Sequence, residues 1–132
     1  MNDNLPSIKK LSLTITPQLL VAYAGATWDF HRYHYDSEFV KEKLNVEKPF
    51  VDGQMFGAII VKHLIQNLGN NATILSMKLR YLSMVSIGES VNFEFNTINS
   101  RLAETNTVLK LLINVTVEER KILQPIDVEV MI

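Results

Sequence analysis

A chain of 132 residues is the size of one compact unit, because single cores commonly run to about 100 to 150 residues. Apolar residues make up 47% and charged residues 20%, a globular rather than a disordered composition. Thirteen basic against fourteen acidic side chains leave a net charge of −1, which argues against an electrostatic nucleic-acid binder; the lack of cysteine excludes disulfides, thiolate nucleophiles, iron–sulfur clusters and cysteine-ligated zinc. Any chemistry falls to oxygen and imidazole groups. The opening MNDNLPSIKK places an acid and a proline where a leader needs a positive start and an apolar run, so the expectation is one cytoplasmic domain over residues 1–132.

Leu11 to Ile15 reads as a short strand. Pro17 to about Ala24 reads as a helix, with Thr16 as cap and Pro17 at the first position, and Ser37 to Leu44 as another. The longest helix is Gln54 to Leu68, bounded by Gly53 and Gly69. Its polar residues Gln54, Lys62 and Gln66 fall at multiples of four, while Met55, Phe56, Ile59, Ile60, Leu64, Ile65 and Leu68 fill most of the remaining circumference. Such an arc needs a sheet wrapped around it. Lys62 and His63 interrupt this most apolar stretch, which is too short and too polar to span a bilayer.

The C-terminal half supplies that sheet. Met77, Leu79 and Tyr81 alternate with Lys78 and Arg80; Val91, Phe93 and Phe95 alternate with Asn92, Glu94 and Asn96. The period of two continues through Leu109 to Val117 and Ile126 to Ile132. Connections as short as Ser83 to Ser90 leave no room for crossover helices, so the strands pair antiparallel. The expected class is α+β, a curved antiparallel sheet around one long helix: the hot dog architecture.

Between the two short helices lies Thr27-Trp28-Asp29-Phe30-His31-Arg32-Tyr33-His34-Tyr35-Asp36, which holds two of the three histidines and two aspartates. Asp36 sits where a helix cap belongs. Asp29 has no such duty, and a His–Asp pair serves structure as readily as catalysis, so the spacing alone leaves its role open.

The stretch resembles the motif of MaoC-like (R)-specific enoyl-CoA hydratases, G-D-x-N-P-x-H-x-D followed by an E-F pair, here Asp29, His34, Asp36, Glu38 and Phe39. Pro49-Phe50-Val51-Asp52-Gly53 is similar to the family's P-x-x-H-G, and Ser86-Ile87-Gly88-Glu89-Ser90 to its P-G-D turn. The likeness spans roughly residues 10 to 98. Four positions depart: Trp28 replaces the glycine before the aspartate, His31 and Arg32 the Asn-Pro pair, and Asp52 the histidine before the helix glycine.

The resemblance implies hydration of a 2-enoyl thioester or the reverse dehydration, with no cofactor. Water must be deprotonated for attack at C3, a proton must reach C2, and charge on the thioester oxygen needs fixed donors. His34 is expected as base, with Asp29 holding the same water. The Gly53 amide, at a helix N-terminus where N–H groups lack partners, is expected to meet the oxyanion. Trp28, Tyr33, Asp36, Phe50, Val51 and Asp52 are expected around the acyl-CoA. Relatives of this kind pair through their sheets, so a homodimer is expected, or a heterodimer with a related chain, with neither nucleic acid nor membrane as partner.

Three alternatives stand beside this reading. Asp29, His31, His34 and Asp36 are possible metal ligands. A hot dog thioesterase would need a carboxylate on the central helix, which has none from Gln54 to Leu68. The departures also admit a non-catalytic acyl-binding subunit. His63 is expected to be structural or interfacial, and Lys78 and Arg80 to be solvated rather than bound to CoA phosphates.

Overall fold

The computed structural model describes residues 5–132; residues 1–4, which open the segment expected to lack leader features, lie outside the described residues. In chain order come β1 (Leu11–Thr14), α1 (Pro17–Thr27), a 3₁₀ turn (Arg32–His34), α2 (Ser37–Leu44) and α3 (Gln54–Leu68). The strands β2 (Thr73–Met77), β3 (Ser90–Ala103), β4 (Asn106–Val117), β5 (Arg120–Lys121) and β6 (Ile126–Met131) follow. They form one antiparallel sheet in the order β1-β3-β4-β6-β2, with β5 beside β4.

The two-residue period decides which face is inside. Val91, Phe93 and Phe95 of β3 are buried while Asn92, Glu94 and Asn96 face solvent. Leu109, Leu111, Ile113 and Val115 of β4 and Val128 and Val130 of β6 are buried as well. Most of this face packs on Met55, Phe56, Ile60 and Leu64 of α3, with the Phe56 and Phe93 rings 6.2 Å apart. Register shifts at Leu75 in β2 and Ile98 in β3 break the ladders, and such bulges bend and twist a sheet, helping it curl around a helix. The result is the hot dog fold. Among the described residues no helix is long and apolar enough to cross a membrane.

One strand expectation is corrected. The alternation of Met77, Leu79 and Tyr81 places the strand at 77–81, whereas the ladder of β2 is Thr73–Met77, paired to β6. Residues 78–80 leave the sheet, and Tyr81 makes only an isolated bridge to Leu123. The alternation has another cause: a Cβ on Gly53 would lie 2.7 Å from Tyr81 Cε1, and one on Gly57 2.9 Å from Leu79 Cδ1. Four helical residues advance about 6 Å and two extended residues about 6.7 Å, so the segment runs down α3 in step with its two glycines.

Candidate active site

The site starts where α1 stops. Thr16 caps the helix, its hydroxyl accepting from the Leu19 N–H at 3.2 Å, and the helix runs past Ala24 to Thr27. Trp28 then turns left-handed at φ 57°, and the Asp29 N–H donates to the Ala24 carbonyl at 3.1 Å. A left-handed residue bearing a side chain costs about 1–2 kcal/mol, which is why glycine suits this position. Trp28 is 82% exposed, its ring touching Phe30 edge-on at 5.2 Å. Trp28→Gly is therefore expected to raise stability by about 0.5 kcal/mol, relief of strain exceeding the entropy that glycine adds to the unfolded chain. Denaturant titration checks this, and a loss would mean that the ring's packing outweighs the strain.

After the turn, local hydrogen bonds hold both histidine rings. Asp29 Oδ1 accepts from the His31 N–H at 3.3 Å, and His31 Nδ1 accepts from the Tyr33 N–H at 3.3 Å. His31 thus caps the 3₁₀ turn as an asparagine would through its side-chain oxygen. His34 Nδ1 lies 2.7 Å from the Phe50 carbonyl oxygen, which can only accept, so Nδ1 carries the proton. Neutral His34 then offers Nε2 as a free base. The Phe50 carbonyl is itself fixed, because the Phe50 N–H donates to Tyr33 O at 3.2 Å and the Val51 N–H to Val85 O at 2.8 Å. Tyr33 stacks on Phe50 at 5.9 Å and contacts Phe39 at 5.3 Å.

Asp36 caps α2, Oδ1 accepting from the Phe39 N–H at 3.0 Å, while Oδ2 receives Arg32 Nη2 at 2.7 Å. The hydrogen bond from Phe39, then that from Arg32, hold its carboxyl below the usual carboxylate range. Stability from a depressed carboxyl is full above the ordinary range and is lost as pH falls through the folded-state value. Melting temperature is expected to fall from wild type to Asp36→Asn to Asp36→Ala at neutral pH, and the gap between wild type and Asp36→Ala to shrink on acidification. A gap that is constant with pH would contradict the assignment.

Asp29 and His34 both line a recess of about 10 Å³, with Leu20, Tyr23, Ala24 and Asp52. That is about the space of one water. Asp52 Oδ1 accepts from the Gln54 N–H at 3.1 Å, the Met55 N–H donates to Asp52 O at 2.9 Å, and the Phe56 N–H to Gly53 O at 3.1 Å. Among the described residues no acceptor meets the Gly53 N–H. A mouth of about 500 Å³, sharing Asp52 with the recess, is lined by Phe50, Val51, Asp52, Gly53, Tyr81, Met84 and their neighbours. Burial first, then the charge of Asp52, push the Tyr23 and Tyr81 phenols up, with Asp29 adding to Tyr23. Both hydroxyls stay protonated as donors.

Of the residues expected at the site, Asp29, His34 and Asp52 share the recess, and Phe50, Val51, Asp52 and Gly53 line the mouth. Tyr33 stands behind Phe50, Asp36 is engaged by Arg32 and α2, and Trp28 lines neither space. Asp29, His31, His34 and Asp36 do not converge, and no three His, Asp or Glu side chains among the described residues are grouped to hold a metal ion. His63 Nε2 donates to Lys9 O at 2.6 Å and its ring packs on Phe95 at 4.9 Å; Lys78 and Arg80 are exposed. Tyr23 and Tyr81 were not foreseen. Tyr23 was findable, since it shares the inward face of α1 with Leu20 and Ala24 at helical spacing.

The fold and recess define a hot dog protein with an aspartate and a histidine lining a single-water space. Residues 6–119 match the family described as MaoC like domain, and the chain belongs to it. No curated protein sequence matches significantly. Among solved structures, the (R)-hydratase from A. caviae involved in PHA biosynthesis superposes with TM-score 0.77 at 22% identity, covering 98% of this chain and 97% of that one. The ChsH1-ChsH2 complex from Mycobacterium tuberculosis gives TM-score 0.74 at 20% identity, covering 93% and 92%. R-Hydratase PhaJ1 from Pseudomonas aeruginosa, in the unliganded form, gives 0.74 at 18%, covering 96% and 80%. At these identities the likeness is one of fold.

Proposed function

We propose that this chain, as one hot dog domain over residues 1–132, hydrates 2-enoyl-CoA thioesters to 3-hydroxyacyl-CoA and catalyses the reverse dehydration. The observation that carries the reading is the 2.7 Å bond from His34 Nδ1 to the Phe50 carbonyl, which in the neutral ring leaves Nε2 as the acceptor, beside a one-water recess that His34 and Asp29 both line. Water held by both gives a proton to His34 Nε2 while its oxygen bonds to C3 of the enoyl group. The C2–C3 π pair shifts toward the thioester, and the proton returns through the Asp29–His34 pair to C2. Both hydrogens of one water are thus placed, and no external reductant or oxidant enters.

The charge on the thioester oxygen is met by the Gly53 N–H, which has no acceptor among the described residues and lies at the positive end of α3. The mouth beside it takes the thioester, and an apolar groove of about 750 Å³ along α3, lined by residues including Gly57, Val61, Ile65, Met77 and Leu79, takes the acyl tail. The absence of acidic residues on α3 disfavours a thioesterase. We place the protein in the cytoplasm, acting as a dimer, with a second copy as the favoured partner over a related chain. Loss of the conjugated enoyl-thioester absorbance on adding purified protein tests the activity; an unchanged spectrum across short and long enoyl-CoAs would contradict it.

A further inference from the structure

The mouth and the α3 groove share two lining residues, Gln54 and Tyr81. Tyr81 is the firmer of the two. Its ring lies against Gly53, where the position of a Cβ would fall 2.7 Å from Cε1 and 2.9 Å from Cζ. Its backbone is held on both sides: it bridges Leu123, the Leu82 N–H donates to Ile122 O at 2.9 Å, and the Gln124 N–H to Arg80 O at 3.0 Å. A ring carried on this held backbone and lying against the start of α3 stands between a thioester at Gly53 and the apolar groove.

We propose that the Tyr81 ring is this wall and determines how long an acyl chain the site accepts. The proposal rests on the hydration reading and names a specificity residue for it. The occupant of the groove is the acyl tail, because the groove continues from the mouth through residues common to both and its lining is mainly apolar. The phenol stays uncharged beside it, its ionisation opposed by burial and by Asp52.

The test compares kcat/KM for 2-enoyl-CoAs of increasing length in wild type, Tyr81→Phe, Tyr81→Leu and Tyr81→Ala, with melting curves for each. Each methylene newly admitted to an apolar groove is worth about fourfold. The long-to-short ratio should rise by about tenfold or more in Tyr81→Ala, rise partway in Tyr81→Leu, and stay at the wild-type value in Tyr81→Phe, which keeps the ring. Calorimetric binding of saturated acyl-CoAs, which cannot be hydrated, should show the same length shift. An unchanged ratio in Tyr81→Ala, an equal shift in Tyr81→Phe, or a change confined to oligomeric state would overturn the wall. If wild type hydrates short enoyl-CoAs while the ratio is fixed, only the wall fails. If the binding profile shifts without turnover of any enoyl-CoA, the hydration reading fails and the wall stands. If wild type neither binds nor hydrates any of these thioesters, both are overturned.

Discussion

Asp29→Asn and His34→Ala are each expected to lower kcat for enoyl-CoA hydration by about 10²–10⁴-fold, the usual range for a positioned acid or base. In the proposed mechanism the two residues act on one water in the recess of about 10 Å³ that both line, so they would work as a unit. The double variant should then be scarcely slower than the worse single one, because groups that act together are not additive. Asp29 is solvent-exposed, so its change to asparagine should leave unfolding near wild type. His34→Ala removes the hydrogen bond to Phe50 O and is expected to cost about 1 kcal/mol. Rates within a few-fold of wild type in both single variants would remove Asp29 and His34 from the chemistry.

Gly53→Ala has the next largest expected effect, about 10²–10³-fold in kcat, the range for loss of one oxyanion donor. Conformation is not the reason, since Gly53 has φ −55° and ψ −31°, which alanine adopts readily. Space is the reason: the new methyl would meet Tyr81 Cε1 at 2.7 Å, and the backbone of Tyr81 is pinned. The start of α3 must shift, and the Gly53 N–H shifts with it. Truncating the ring in the same chain, Gly53→Ala with Tyr81→Ala, should recover about tenfold of the loss on a short substrate. A double variant no faster than Gly53→Ala would show that the clash is not what moves the donor.

These two effects draw unequally on what the sequence makes legible. The Asp29–His34 pair stands in a motif of fixed spacing, and α3 is bracketed by Gly53 and Gly69, so both could be read directly. Alternation located β3, β4 and β6 because each buries one face. The segment 77–81 shows the limit of that signal: its alternation is real, yet it records packing against Gly53 and Gly57 rather than a ladder. A period of two reports which side is buried and does not report what hydrogen-bonds the backbone. The left-handed turn at Trp28 was hidden for another reason, since a tryptophan carries no local preference for it and only the departure from glycine marked the place. Tyr81 was visible as an apolar-face residue, but its position over Gly53 depends on two segments brought together by the fold.

The most direct test of the central claim is to incubate wild-type protein with a short 2-enoyl-CoA in oxygen-labelled water and analyse the thioester by mass. The account predicts 3-hydroxyacyl-CoA carrying the label on C3, formed by wild type and lost in Asp29→Asn and His34→Ala. Release of free CoA with the label in a carboxylate, or recovery of the enoyl-CoA unchanged, would contradict it.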